Sequence, residues 1–224
     1  MAPLSEADRD RVTAAVTAAE AGTAGEIVTV IADRSDGYSD IAMAWAVLVA
    51  FTSLAVLATF SDFYLGLIDR LFGEWNRAWS AGGLIGLALF VAILKFVGMW
   101  LIQLWQPLKF WLIPGPIKTA RVRGRAIGLF KVGAERRTTG RTGILVYLSL
   151  RERRAEIVAD EAIVAKVSPE TWGEAMAAML AHIKDGRLAD GMCAAVEKVG
   201  AVLAEHFPRA EDDVNELPDR LIEL

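Results

Sequence analysis

Four carboxylates beside predicted strands have the chemistry of ligands for a hard divalent cation. Glu26 begins an apolar, β-branched segment, Asp33 and Asp36 follow that segment, and Asp160 follows another strand-like segment. Calcium and magnesium take several oxygen ligands, and ligands of α/β sheets gather beyond the carboxyl ends of strands. The sequence therefore predicts a calcium or magnesium site formed by these four residues. Their spacing does not match an EF-hand loop, and the alternative is a charged linker beside a membrane segment.

A second set of residues is basic and suits an anion. Lys118, Arg121 and Arg125 share one face of a helix predicted over 118–134. The loop that follows adds Arg136, Arg137 and Arg141. Anionic lipid is the expected ligand, because this helix comes soon after an apolar segment, and phosphate or a phosphorylated substrate is the alternative. The formal net charge of −4 argues against a nucleic-acid partner.

No familiar catalytic pattern accompanies these residues. The chain contains no GxxxxGK[ST], HExxH, GxSxG or CxxC pattern. His182 and His206 are expected near helix C-termini, where a cation is favoured by the helix dipole. Cys193 is the single cysteine, so it forms no internal disulfide and is expected to pack as a small core residue.

The apolar residues, 54% of the chain, concentrate between residues 41 and 113. Residues 41–60 contain no charge, and their helix would be about 30 Å long, which matches the hydrocarbon core of a bilayer. Residues 83–104 form a second span that includes Lys95. We expect Lys95 to extend its ammonium to the headgroups, because no second charge is available inside the membrane. The alternative is an ion relay in a transporter subunit.

The segment between the two spans and the charges around them predict the orientation. Residues 62–80 place aromatic and aliphatic side chains at helical spacing, as in an amphipathic helix that lies in the interface. Arginines are few in this loop, Arg70 and Arg77, whereas lysines and arginines are frequent after the second span. Positive loops stay in the cytoplasm, so both termini are expected there. The predicted location is a bacterial inner membrane.

The remaining sequence predicts one α/β domain that the hairpin interrupts. Ser5 begins a helix, and residues 26–32 form a strand that needs partners from later in the chain. A central strand is predicted at 143–150, paired across a turn with an edge strand at 153–159, and further helices are predicted at 118–134, 160–167, 169–184 and 188–206. The predicted domain therefore comprises residues 1–40 and 114–224, with the hairpin at 41–113. The acidic tail, 211–219, is expected to lie outside the core, in solvent or against a basic surface.

Four stretches make the sequence similar to the TPM-domain family. They are 23–27 (TAGEI), 141–150 (RTGILVYLSL), 152–160 (ERRAEIVAD) and 215–219 (NELPD). The resemblance covers nearly the whole chain and is to short bacterial membrane proteins whose domain contains two inserted transmembrane helices. It implies a sheet of about four strands sandwiched by helices. It implies no single activity, since relatives include acid phosphatases, calcium binders and assembly, repair or receptor-accessory proteins.

Two functions follow as hypotheses. The first is a non-catalytic module on the cytoplasmic face that binds or assembles a protein partner. Membrane lipid is expected as a further partner, and a homo-oligomer is compatible with this function. The second is a phosphatase-like hydrolase in which the clustered carboxylates hold a divalent metal. Against the second, the sequence offers no nucleophile–base pair. Against a transporter, two helices enclose no pore without oligomerising.

Overall fold

The first helix, α1 (Glu6–Glu20), begins as the residues around Ser5 predict. The backbone N–H of Asp8 donates to Ser5 Oγ at 3.1 Å, and Ser5 Oγ donates to the Asp8 carboxylate at 2.7 Å. The computed structural model describes residues 4–72, 79–133, 142–209 and 216–224. It divides into two units, Met1–Asp36 with Gly115–Leu224, and Gly37–Pro114.

The first unit contains a sheet of four strands in the order β3-β2-β1-β4. Strands β1 (Glu26–Ala32) and β2 (Gly143–Ser149) are parallel, with Glu26 opposite Gly143. Every residue of both strands is buried, as expected for central strands that have layers on both faces. Strand β3 (Arg154–Ala159) runs antiparallel to β2 and forms the predicted edge.

Helices cover both faces of this sheet, which confirms the predicted fold class. One face packs against α1, α8 (Pro169–Lys184) and α9 (Leu188–His206), and the other packs against α6 (Gly115–Gly133). Side chains alternate between the faces: Ile27 and Ile31 join the first core, and Val28 and Val30 join the second. The short helix α7 (Glu161–Val164) links β3 to α8 and is shorter than predicted.

The end of the chain corrects one prediction. Leu217 and Leu221 are buried, and strand β4 (Ile222–Glu223) pairs in parallel with β1. The backbone of Leu224 also exchanges hydrogen bonds with Ile31 and Asp33, each 2.9 Å long. Residues 216–224 therefore complete the sheet, so the prediction of a tail outside the core was wrong for residues 216–219. Residues 211–215 lie outside the described part of the chain.

The second unit is helical and carries the two apolar segments. Helices α2 (Ser39–Thr59) and α4 (Ala81–Ile102) are both long and apolar enough to cross a membrane. Their sequence neighbours are α3 (Ser61–Phe72) and α5 (Gln106–Leu112). Gln103 Nε2 donates to the Ala42 carbonyl at 3.0 Å, which joins the end of α4 to the start of α2 and makes the pair antiparallel.

The surface of this pair is mostly apolar and uncovered. Ala42 and Ala46 are the buried residues of α2, and no residue of α4, all of which the structure describes, is buried. Lys95 is exposed on α4. Helix α3 covers the first part of the predicted interfacial segment, 62–80, while 73–78 lie outside the described residues. The described residues therefore leave a long apolar surface on α2 and α4 without a covering layer.

Candidate functional site

The four predicted metal ligands lie at opposite ends of the sheet. Glu26 starts β1, and Asp33 and Asp36 follow the end of this seven-residue strand, about 20 Å away. Strand β3 is antiparallel, so Asp160, which follows β3, lies beside the start of β2, where its carboxylate accepts from Gly143 N–H at 3.1 Å. Across the described ranges, no three His, Cys, Asp or Glu residues are grouped to hold a metal. The predicted set does not fit one cation.

Each of these acids instead makes a structural contact. Glu26 accepts the backbone N–H groups of Glu216 and Leu217 at 3.1 and 3.2 Å, which holds the C-terminal segment against β1. Asp33 pairs with Arg151 at 2.8 Å, and Asp36 pairs with Arg121 at 3.1 Å. The carboxylates thereby stabilise strand ends and turns.

A cleft of about 230 Å³ lies at the amino end of the sheet. The end of α1, the start of β1, the segment after α9 and the C-terminal segment meet there. Its lining residues are Thr17, Glu20, Ala21, Thr23, Glu26, Arg209 and Asp219. Asp219 accepts a hydrogen bond from Thr17 Oγ1 at 2.6 Å. Sequence reasoning selected Glu26 alone from this group, and it assigned Asp219 to a tail outside the core.

Glu20 is the most perturbed acid of this cleft. Its side chain is 8% exposed, and Glu20 Oε1 accepts the N–H of Ile27 at 2.6 Å. Burial is the main cause that raises the pKa of Glu20 to about 8, and the charges of Asp219 and Glu26 add to it. The protonated form of Glu20 is therefore favoured at neutral pH, and its Oε2 is buried without a hydrogen-bond partner among the described residues. Among the residues that the structure describes, a carboxylic acid beside two carboxylates is an arrangement at this end with acid–base chemistry.

Hydroxyl and carboxylate groups form a network at the opposite, carboxyl end of β1 and β2. Glu152 is buried, and it accepts from Ser149 Oγ at 2.5 Å and from Ser35 N–H at 2.8 Å. Ser35 Oγ lies 2.9 Å from the hydroxyl of Tyr147. Burial raises the pKa of the Tyr147 hydroxyl, so it stays protonated. This network closes the turn after β2.

Basic side chains surround this network, and the structure changes the predicted set. Lys118 lies near Arg153 and Arg154 of the turn between β2 and β3, two residues that sequence reasoning placed at an edge strand. Burial, followed by the charges of Arg154 and Arg153, lowers the pKa of Lys118. Of the other predicted members, Arg121 is paired with Asp36 and Arg125 is exposed. Arg136, Arg137 and Arg141 lie outside the described residues.

The two histidines and the cysteine lie within helices of the first unit. His182 and His206 lie in the last turns of α8 and α9. Cys193 is half-buried in α9, and its Sγ lies 3.8 Å from the carbonyl oxygen of Arg11. Burial raises the pKa of the Cys193 thiol, which disfavours the thiolate that nucleophilic catalysis needs.

Comparison with known proteins gives a likeness in fold. The chain is similar to the BA42 protein from the psychrophilic bacterium Bizionia argentinensis, whose structure was determined by NMR. The TM-score is 0.58 with 18% sequence identity, over 99% of this chain and 95% of that chain. No protein-family model and no curated protein matches the sequence. At this identity the likeness concerns the fold alone.

Proposed function

We propose that this chain is a membrane-anchored, TPM-like domain that binds or helps assemble a protein partner on the cytoplasmic face of a bacterial inner membrane. The observation that carries the anchoring is the exposed apolar surface of α2 and α4. Large side chains such as Phe51, Ile85 and Phe90 are between 64% and 69% exposed. Hydrocarbon removes such surface from water, whereas a soluble protein would bury it.

The sheet supports a binding role for the domain. The four acids predicted as metal ligands are engaged in ion pairs and backbone hydrogen bonds at two separate ends. A domain of this kind offers a rigid surface, and its edge strand β3 and short helix α7 present side chains to a partner. Val164 of α7, which is 61% exposed, is an apolar residue on that surface.

Photo-crosslinking in the membrane tests this proposal. A photoreactive residue at Val164, or at Glu156 on β3, is expected to give a protein adduct of defined mass in cells. Lys198 on α9 is the matched control, because it is exposed on another element. Purifying the adduct and showing that full-length chain binds the purified partner completes the test. If neither Val164 nor Glu156 gives a protein adduct, the proposed assembly role is contradicted.

A phosphatase-like hydrolase is the alternative, and the protonated Glu20 in its cleft is the observation that favours it. The metal-dependent form of this hypothesis lacks a ligand set among the described residues. What remains is a general acid with two neighbouring carboxylates. Turnover of a phosphate monoester should then fall as pH rises through about 8, where Glu20 loses its proton.

Substitutions in the cleft separate the two functions. Glu20→Gln and Asp219→Asn should each lower hydrolysis of p-nitrophenyl phosphate by about a hundredfold if the cleft is catalytic. Asp10→Asn on the exposed face of α1 is the control. Assays with and without calcium or magnesium complete the comparison. Hydrolysis that the cleft variants leave unchanged would exclude this site.

A further inference from the structure

Three basic side chains meet at the carboxyl end of the sheet although they are far apart in the sequence. Lys118 lies in the first turn of α6, and Arg153 and Arg154 lie where β2 turns into β3. Arg154 Nη2 is 3.9 Å from the point where a Cβ on Gly115 would stand, which places the guanidinium beside the first residue of α6. We call Lys118, Arg153 and Arg154 the basic cluster.

The cluster carries more positive charge than the acid of its turn, Glu152, neutralises, although the charge of Glu152 does act on Lys118. None of its three members makes an ion pair with a described residue, whereas the neighbouring Arg121 and Arg151 are paired with aspartates. Glu152 is the acid of this turn, and its two oxygens accept from Ser149 and Ser35. The net charge of Lys118, Arg153, Arg154 and Glu152 is therefore +2, from three cations and one anion.

Backbone geometry holds the cluster together. Arg153 has a φ of 52°, in the left-handed region, and its N–H donates to the Leu150 carbonyl at 3.3 Å. Arg154 Nη1 donates to the Arg153 carbonyl at 3.4 Å. A non-glycine residue in this conformation carries a backbone cost, which the surrounding structure must offset. The guanidinium of Arg154 thus lies beside the first turn of α6, where Lys118 lies, and Arg153 precedes it in the turn.

Like charges on neighbouring side chains favour an anion between them. Burial is the main cause that lowers the pKa of Lys118; the charges of Arg154 and Arg153 lower it further, and the charge of Glu152 opposes them. An oxyanion would offset the repulsion by the two arginines. Guanidinium groups offer two parallel N–H donors and an ammonium offers a point charge, which together match a phosphoryl group. The positive end of α6, without an acid in its first turn, adds to the field.

We propose that Lys118, Arg153 and Arg154 form a binding site for a phosphoryl oxyanion. The group is carried either by the headgroup of an anionic phospholipid or by a small soluble phosphate. The site is independent of the protein partner proposed above and of the cleft around Glu20, which lies at the other end of the sheet.

Phosphate titration of the full-length chain in uncharged-lipid nanodiscs tests the site. Binding of inorganic phosphate, followed by ³¹P line broadening, should weaken about tenfold or more in the triple variant Lys118→Gln, Arg153→Gln, Arg154→Gln. A control triple, Lys131→Gln, Lys184→Gln and Lys198→Gln, removes the same charge from exposed positions elsewhere and should bind within about twofold of the wild type. Binding should weaken as salt rises.

A charge-preserving variant guards against loss of fold. Lys118→Arg, Arg153→Lys, Arg154→Lys should retain phosphate binding, and circular dichroism should give each variant the wild-type spectrum. If the wild type binds no phosphate, or if the cluster and control triples bind alike, the site is refuted.

Discs that contain phosphatidic acid distinguish the two sources of the phosphoryl group. If headgroups occupy the cluster, these discs abolish binding of soluble phosphate to the wild type. If the ligand is a small phosphate, phosphatidic acid should weaken phosphate binding to the wild type no more than it weakens phosphate binding to the control triple. That common loss measures the effect of surface charge.

Discussion

Glu20 and Glu26 show how two acids six residues apart in one α/β connection acquire different properties. Glu26 is buried and accepts two backbone N–H groups, which hold the C-terminal segment against β1. Glu20 is also buried, and burial is the main cause that raises its pKa to about 8; the charges of Asp219 and Glu26 raise it further, while the hydrogen bond from Ile27 N–H opposes them. Burial and neighbouring groups, and not residue type, therefore decide the protonation of Glu20.

The pH dependence of stability should reveal Glu20. Its folded pKa of about 8 lies above the unfolded value of 4.5, so the folded state holds a proton that the unfolded state has released. Stability should therefore fall as pH rises from about 5 to 8, by at most about 1.4 kcal/mol per pH unit, with the whole penalty present above 8. Below 4.5 both states are protonated and the penalty disappears.

Glu20→Gln should remove this dependence. The glutamine keeps an oxygen for Ile27 N–H and donates its amide towards Asp219. Thermal unfolding of the full-length chain in neutral detergent should give the variant a higher Tm than the wild type at pH 9 and an equal Tm at pH 4. Asp10→Asn should leave the wild-type profile unchanged. If the Tm difference between Glu20→Gln and the wild type does not grow with pH, the raised pKa of Glu20 is contradicted.

At the scale of elements, close packing between helices depends on particular glycines. A Cβ on Gly200 of α9 would stand 2.6 Å from the Cβ of Ala19 in α1, a distance at which backbone must move. A Cβ on Gly128 of α6 would meet nothing within 4 Å. The same residue type therefore has opposite roles in the two layers that cover the sheet.

Gly200→Ala should destabilise the domain by about 1–3 kcal/mol, because it forces α9 away from α1. Gly128→Ala should instead stabilise it by about 0.5–1 kcal/mol, since alanine is the better helix former and has space. Denaturant unfolding of both variants beside the wild type measures the difference. Equal effects of the two substitutions would argue against close α1–α9 packing.

The C-terminal segment contains two leucines that differ in burial. Leu217 is 6% exposed and packs with Val28, Val30 and Leu145, whereas Leu224 is 52% exposed. Leu217→Ala should cost about 2–3 kcal/mol and speed hydrogen exchange in β1, and Leu224→Ala should cost little. Similar losses from both variants would indicate that residues 216–224 contribute through their backbone alone.

The whole molecule combines a sheet made from both ends of the chain with an apolar insertion. The parallel pairing of β1 and β2 joins residues on either side of the insertion. If α2 and α4 both cross the bilayer, the chain returns to the side where β1 lies, as the pairing requires. The excess of lysine and arginine after the second span predicts that this side is the cytoplasm.

Reporter fusions test this topology. A reporter that is active only in the cytoplasm should be active when it is fused after Leu224. One that is active only in the periplasm should be active when it is fused within the segment between α3 and α4. Leu89→Arg at the centre of α4 should reduce insertion, because a central arginine costs about 2.5–3.5 kcal/mol. Periplasmic activity of a reporter after Leu224 would overturn the orientation.

The sequence by itself determined the local elements, and it predicted β2 as a central strand and β3 as its edge neighbour. The long segment without charged residues predicted α2, and the segments rich in β-branched residues predicted β1 and β2. Pro169 and Gly186 marked the limits of α8. These features depend on residues close together in the chain. The resemblance in the TPM-like stretches predicted the number of strands, and the structure confirmed it.

Tertiary structure decided which charges meet. The antiparallel turn into β3 carried Asp160 to the end of the sheet opposite Asp33, and the same turn brought Arg153 and Arg154 to Lys118. Strand β4 was missed because two residues give no periodic signal, and the burial of Leu217 depends on contacts with β1 and β2. Spacing along a chain specifies faces of single helices and strands, whereas a site depends on strand direction and on distant segments that pack together.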